Sequence, residues 1–156
     1  MRQLLIPFLG LTLVLAGCGG GSSTAPTAPS APQEAVARVG DITVRASALP
    51  TLTLSPQIAQ QYGIDRDART VMLLVGLRRG ADGQEVAVPA RIRATATTLG
   101  GQRQELSLRE LRSGEWIDYI GTVQTTPPET LRFDVEATAE GGGQVTMQFS
   151  REIYPQ

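Results

Sequence analysis

Apolar and polar residues alternate with a period of two through most of the chain after residue 40. The segment TLRFDVEATA (130–139) is the clearest case, because its leucine, phenylalanine, valine and alanines fall on one side and its charged residues and threonines on the other. Alternation of this length is typical of a strand with one face buried in a core. The same pattern occurs in DITVRA (41–46), RIRATA (91–96), ELSL (105–108), EWIDYIGTV (115–123) and QVTMQFSREIY (144–154).

One further segment, VMLLVGL (71–77), is apolar almost throughout. A short apolar run between turn residues is typical of a central strand that is covered on both faces. The chain thus has about seven short strands with glycine-containing turns and no parallel crossovers. We predict an all-β domain, an antiparallel and immunoglobulin-like β-sandwich, with a small β-barrel as the alternative.

The turns predict how the strands pair, because inward side chains must lie opposite inward side chains. A two-residue loop at residues 113–114 and a three-residue loop at residues 100–102 both meet this condition. The pairs that these loops predict are Leu108 with Tyr119, Ala96 with Leu106, and Arg93 with Arg109.

One short helix is predicted before the central strand. Ser55 suits the N-cap, Pro56 the first helical position, and Gly63 the end of the helix. Ile58 and Tyr62 are four residues apart and therefore share one helix face. We expect these two side chains to cover one end of the sandwich.

Residues 1–17 have the features of a bacterial export signal. A short positive start is followed by an apolar run over residues 4–14, shorter than the roughly 20 residues that span a membrane. The run ends in LAGC (15–18), which resembles the lipobox of bacterial lipoproteins. That resemblance implies cleavage of a signal peptide after residue 17, a diacylglyceryl thioether on Cys18, and an acyl chain such as palmitate on the new amine.

Residues 18–35 are predicted to be a spacer between this lipid and a single domain over residues 36–156. Proline recurs every third residue in TAPTAPSAP (24–32), which favours an extended polyproline II spacer; a proline-rich ligand for a partner domain is the alternative. Gly19 stands where proteobacterial lipoproteins kept in the inner membrane carry aspartate. The resemblance therefore implies anchoring in the outer membrane, facing the periplasm, with the inner membrane or the cell surface as alternatives.

Composition narrows the possible chemistry. Fourteen basic and 15 acidic residues give a formal net charge of −1, which provides no support for a nucleic-acid partner. The chain has no histidine, so a Ser-His-Asp triad, a Cys-His pair and a histidine-ligated metal site are all excluded. Asp65 and Asp67 have the spacing of a calcium loop but lack its glycine and its later bidentate acid. We predict no catalytic residue, no cofactor and no metal site.

Two groups of residues remain as a candidate binding surface. Trp116 is the single tryptophan, and alternation places it with Asp118 on the face opposite the apolar side of its strand. An exposed indole can bind a partner side chain or a sugar, whereas covering its own sheet is the structural alternative. The second group is a positive strip of arginines expected side by side on outward faces, namely Arg91, Arg93 and Arg109. Such a strip could bind an anion, or a nearby glutamate could screen its charge.

Five separated motifs resemble one bacterial family of unknown function, numbered 4426. They are QQYGI (60–64), LGGQRQELSLRE (99–110), WIDYIGTV (116–123), ETLRFDVEA (129–137) and FSREIYP (149–155), and the resemblance covers nearly all of residues 36–156. It implies a small secreted protein of gammaproteobacteria, and it assigns no activity. Many members have an aromatic-rich first strand, often with a histidine, whereas this chain has ITVRASA (42–48).

These observations favour a lipid-anchored envelope protein that binds a protein partner or assists assembly and does not catalyse a reaction. Its expected partners are the membrane, through Cys18, and another envelope protein. A glycan-binding module that uses Trp116 is the second hypothesis. A hydrolase is the third, and it would need two carboxyl groups about 5–10 Å apart in a cleft. The acids considered for that pair are Glu105, Glu110, Glu115 and Asp118.

Overall fold

A computed structural model of the protein describes residues 34–156, which form ten β-strands and two short helices. The predicted signal peptide, Cys18 and nearly all of the spacer lie outside the described residues. The strands are β1 (Ala35–Val39), β2 (Ile42–Pro50), β3 (Thr70–Arg79), β4 (Val86–Ala87), β5 (Ala90–Thr98), β6 (Arg103–Leu106), β7 (Arg109–Ser113), β8 (Trp116–Gln124), β9 (Glu129–Ala139) and β10 (Gln144–Ile153). A 3-10 helix spans Thr51–Thr53, and the α-helix α1 spans Pro56–Gln61.

The strands form two antiparallel sheets. The larger sheet has the order β1-β2-β3-β8-β7, with β4 paired to the end of β3, and the smaller sheet has the order β10-β9-β5-β6. The predicted antiparallel β-sandwich is therefore confirmed, and the sheets do not close into a barrel. The strands outnumber the predicted seven because β1 and β4 are short additions and the segment 103–113 is divided between β6 in one sheet and β7 in the other.

The core lies between the two sheets and contains the predicted inward residues. Leu131, Phe133 and Ala137 of β9 are fully buried, as are the inward residues of β3 and Val44 of β2. The ring of Phe133 stacks on that of Phe149 in the neighbouring strand, with centroids 5.2 Å apart. Burying each large apolar side chain contributes about 1.5–3 kcal/mol, so this interface is the main source of the fold's stability.

The central position predicted for β3 is also confirmed, because β3 lies between β2 and β8 and is buried on both faces. Its odd-numbered apolar residues face the smaller sheet. Met72, on its other face, belongs to a second apolar cluster on the outer side of the larger sheet. That cluster contains Leu54, Ala59, Met72 and Ile120, with Leu49, Tyr62, Ile64, Leu74 and Leu111 packed against it.

The helix α1 covers this outer cluster. Ser55 caps the helix, since its side-chain oxygen accepts a hydrogen bond from the Ile58 backbone N–H at 3.2 Å, and Gly63 ends it with φ +58°. Tyr62 packs on the cluster as predicted for a covering residue, but Ile58 is exposed and Ala59 is buried in its place. The prediction that α1 covers an end of the sandwich is therefore wrong: Ala59 and Tyr62 define a helix face that lies on the sheet.

The registers predicted from the loops at residues 113–114 and 100–102 are wrong by two residues, although each strand turns the predicted face inward. Tyr119 lies opposite Glu110, and Leu106 lies opposite Ala94. The loop between β7 and β8 is shifted by one residue, to 114–115. The loop between β5 and β6 is also shifted by one residue, to 99–101, because the Thr98 backbone N–H donates to the Gln102 oxygen at 2.9 Å. A two-residue shift preserves the inward face, which is why the alternation pattern could not detect it.

Candidate functional site

Trp116 is the most exposed aromatic side chain on the outer face of the larger sheet. It is the first residue of β8, and 57% of its surface is accessible. Its strand neighbours Ile117 and Tyr119 are buried in the core. The predicted outward orientation is therefore confirmed, and the indole does not contribute to the main core.

A buried arginine holds one face of this indole. The guanidinium carbon of Arg78, at the end of β3, lies 4.6 Å from the centre of the Trp116 ring. This is within the distance of a cation–π interaction, to which tryptophan contributes the strongest ring. The side chain of Arg78 is only 10% exposed, so the indole rests on a group that has little freedom to move.

Hydrogen bonds fix the guanidinium of Arg78. Its Nη1 atom donates to the backbone oxygens of Leu77 at 2.9 Å and Ile117 at 3.0 Å. Its Nη2 atom donates to Oδ1 of Asp118 at 3.0 Å and forms an ion pair with that carboxylate. The sequence placed Asp118 beside Trp116, and the structure assigns it a supporting role: it orients the arginine on which the indole lies. We call Trp116, Arg78 and Asp118 the Trp116 cluster.

A glycine in the central strand leaves room for this cluster. Gly76 lies directly opposite Asp118 in the pairing of β3 with β8. A Cβ atom at residue 76 would lie 2.6 Å from Oδ1 of Asp118 and 3.2 Å from Nη1 of Arg78. Arg78 and Gly76 were both missed by the sequence analysis. An isolated glycine inside an apolar strand, as in VMLLVGL, is the signal that could have indicated a close approach of other groups.

The arginine strip predicted from the sequence does not form. Arg93 lies in β5 of the smaller sheet, opposite Glu136, whereas Arg109 lies in β7 of the larger sheet, opposite Ile120. The two residues are separated because the chain changes sheets between Leu106 and Arg109. Arg109 therefore shares the outer face with Trp116 and Asp118. Arg91 and Arg93 lie on the opposite side of the sandwich.

The carboxylates considered for a hydrolase pair also lie on different faces and different sheets. Glu110 faces Tyr119 and Asp118 faces Leu111, so these two acids point to opposite faces of the larger sheet, while Glu105 belongs to the smaller sheet. A hydrogen bond from Arg112 holds the pKa of Glu110 below its ordinary value. A general acid needs the opposite shift.

Asp67 has a structural role in the loop before β3. Its Oδ1 atom accepts hydrogen bonds from the Arg69 backbone N–H at 2.8 Å and the Thr70 hydroxyl at 3.1 Å. Across residues 34–156, no three side chains of the histidine, cysteine, aspartate and glutamate types are grouped so that they could hold a metal ion. The same part of the chain contains no helix with the length and apolar character needed to cross a membrane.

Comparison with known families gives one match over the whole sandwich. The model of a domain of unknown function, DUF4426, matches residues 36–156. A solved structure of a DUF4426 family protein (PA0388) from Pseudomonas aeruginosa PAO1 is 26% identical, with a TM-score of 0.67, and the match covers 79% of this chain and 96% of that chain. A search of curated proteins gives no match.

Solved structures of FetP from the uropathogenic Escherichia coli strain F11 share the fold at much lower identity. One, isolated after recombinant expression in the periplasm, is 10% identical with a TM-score of 0.58, over 81% of this chain and 97% of that chain. A copper-bound variant of FetP is also 10% identical, with a TM-score of 0.55, over 78% of this chain and 95% of that chain. At this identity the likeness is one of fold alone.

Proposed function

This chain belongs to the DUF4426 family, and we propose that it is a lipid-anchored, non-catalytic protein-binding module of the bacterial envelope that faces the periplasm. The observation that carries the binding role is the exposed Trp116 indole held on the buried Arg78 guanidinium. Tryptophan and arginine are enriched among the residues that dominate protein interfaces. A rigid indole also loses little conformational entropy when a partner covers it.

A protein partner fits this surface better than a glycan. Sugar recognition needs an aromatic platform together with free polar groups that fix the sugar hydroxyls. Beside Trp116, both terminal nitrogens of Arg78 and the Oδ1 atom of Asp118 are already bonded to one another or to the backbone. The indole therefore offers an apolar surface with satisfied neighbours, which can be desolvated at low cost.

Anchoring rests on the sequence of residues 15–19. Cys18 carries the only thiol of the chain and so the only site for a thioether-linked lipid, and two or more acyl chains hold a protein on a membrane stably. Gly19 in place of aspartate favours the outer membrane. The spacer up to residue 35 would then allow the sandwich to lie some tens of ångströms from the lipid, at about 3.1 Å per residue.

A binding role without catalysis agrees with the residues available. The chain has no histidine, and the acids suggested by the sequence do not converge. The copper of the FetP variant does not extend to this chain, because the likeness is to the fold and histidine, the commonest metal ligand, is missing.

The test compares capture of envelope proteins by the wild-type protein, Trp116→Ala and Tyr154→Ala. Tyr154 is a matched control, since it is a similarly exposed aromatic residue near the C-terminus. We expect Trp116→Ala to lose a specific partner that Tyr154→Ala retains. Unfolding in denaturant should show a cost well below the roughly 3–5 kcal/mol of a core truncation. Equal capture by all three proteins, or a loss of stability in the core range, would contradict the proposal.

A further inference from the structure

The outer face of the smaller sheet contains a groove that the Trp116 cluster does not use. Its volume is about 510 Å³, within the range of small-molecule sites, and it is lined by side chains from all four strands of that sheet. Its charged and polar lining includes Arg93, Thr95, Arg103, Glu105, Asp134 and Glu136. The groove and Trp116 lie on opposite sides of the sandwich.

Thr95 forms the floor of this groove. It occupies the middle of β5, with Glu105 opposite it on one side and Asp134 on the other. Thr95 is only 9% exposed, and its hydroxyl oxygen is buried without a hydrogen-bond partner among residues 34–156. A buried polar group of this kind costs about 1–3 kcal/mol unless something bonds to it, so it points to a ligand in the groove.

The walls of the groove include charged side chains that have no partner in the fold. Within the described part of the chain, the side chains of Arg93, Arg103 and Glu105 make no hydrogen bond and no ion pair, although their backbones belong to paired strands. Asp134 and Glu136 are different, because each accepts a hydrogen bond from a glutamine amide of β10. Those amides orient the two carboxylates; Asp134 also pairs with Arg132, whose Nε lies 3.6 Å from its Oδ2, whereas Glu136 has no ion pair among the described residues. The groove therefore combines two free guanidinium groups with carboxylates around one unpartnered hydroxyl.

We propose that this groove binds a small zwitterionic ligand of the amino-acid or short-peptide class. Its carboxylate would bind between Arg93 and Arg103, because guanidinium groups match carboxylates in charge and geometry. Its ammonium group would face Glu105 and Asp134. The Thr95 hydroxyl can donate to the first group or accept from the second. The carboxylates of the groove would repel a simple anion, and its two arginines would repel a simple cation. Each should therefore bind more weakly than a zwitterion.

Amide chemical-shift titrations of the mature protein test the ligand class. The probes are glycylglycine, acetate, inorganic phosphate and methylammonium, at constant ionic strength. We expect saturable shifts around Thr95 with glycylglycine and much weaker effects from the three singly charged or anionic probes. Saturation by phosphate without saturation by glycylglycine would overturn the proposal in favour of an anion site. The absence of any saturable shift in the groove would also overturn it.

Four variants test the residues. Arg93→Gln and Arg103→Gln should each weaken glycylglycine binding about tenfold, as expected for loss of a charge-assisted hydrogen bond. Arg91→Gln is the matched control, since Arg91 is exposed on the same strand face but does not line the groove. Trp116→Ala should leave the titration unchanged, which separates this inference from the proposed protein-binding function. Equal binding by the wild type and both groove variants would refute the assignment.

A fifth variant tests the buried hydroxyl. Thr95→Val keeps the shape of the side chain and removes the unpartnered oxygen. We expect its melting temperature to equal or exceed that of the wild type, while glycylglycine binding becomes weaker. A lower melting temperature with unchanged binding would mean that the hydroxyl serves the fold, and it would overturn the proposal.

Discussion

Gly76 lies directly opposite Asp118, and a Cβ atom on Gly76 would be 2.6 Å from the Oδ1 atom of that carboxylate. This separation is shorter than real Cβ contacts, so a side chain at residue 76 and the observed position of Asp118 exclude one another. The same carboxylate orients Arg78, on which the Trp116 indole rests. The absence of a side chain at Gly76 is thus linked to the Trp116 indole through Asp118 and Arg78.

Gly76→Ala should therefore destabilise the protein, although alanine is ordinarily the better strand residue. The added methyl group would displace Asp118 and weaken its hydrogen bond with the largely buried Arg78. We expect a loss of about 1–3 kcal/mol in the free energy of unfolding, as for other charge-assisted hydrogen bonds. Denaturant unfolding, followed by the fluorescence of the single tryptophan, measures both the stability and the change around the indole.

The control is a double-mutant cycle with Asp118→Ala. In that background the new methyl group no longer meets a carboxylate, so the cost of Gly76→Ala should largely disappear. Additive losses in the double variant would mean that the effect of residue 76 arises elsewhere in the strand.

The sequence was sufficient to predict which side of each strand is buried. Alternation in β9 and β8 correctly predicted the inward residues, because the core between the sheets requires apolar side chains at those positions. The registers failed because neighbouring glycines, such as Gly100 and Gly101, allow the same hairpin to turn at more than one position. Shifts of two residues keep every inward side chain inward, so the hydrophobic pattern does not distinguish between the alternatives.

The position at which the chain changes sheets was not predictable from local pattern. The alternation of inward and outward residues runs without a break from Leu106 to Arg109. The strands on either side nevertheless belong to different sheets, since β6 pairs with β5 and β7 pairs with β8. Alternation reports only whether a side chain points inward, and both sheets share the same core. The predicted contact between Arg93 and Arg109 failed for this reason. The contact between Arg78 and Trp116 was missed because it joins strands far apart in the sequence.

Lipid anchoring remains a prediction that depends on one residue. Cys18→Ala removes the only site for a thioether-linked lipid, so processing by the lipoprotein route should stop. Metabolic labelling with a fatty acid should mark the wild-type protein and leave Cys18→Ala unlabelled. Fractionation should then find the wild type with outer membranes. Equal labelling of both proteins would exclude the lipobox interpretation.

Tyr119 connects the two sheets through its hydroxyl group. The oxygen accepts a hydrogen bond from the Ala90 backbone N–H, at the start of β5, at 2.7 Å. The hydroxyl also donates to the Glu110 carboxylate at 3.1 Å. Tyr119→Phe would leave the Ala90 donor without its partner, and we expect a loss of about 1–2 kcal/mol in the free energy of unfolding at neutral pH. Tyr154→Phe, at an exposed position, should cost much less.

The same hydroxyl predicts how stability changes at alkaline pH. Burial raises the pKa of Tyr119 above its ordinary value of 10.0, and the hydrogen bond to Glu110 adds to this shift while the bond from Ala90 opposes it. A group whose pKa is higher in the folded state stabilises the fold below its unfolded pKa and loses that contribution as pH rises through the folded value. The wild type should therefore lose stability from about pH 10 upward, and Tyr119→Phe should lose less over the same interval. Urea unfolding of the wild type and Tyr119→Phe at a series of pH values measures this difference. Parallel losses in the wild type and Tyr119→Phe would show that other groups control the alkaline transition.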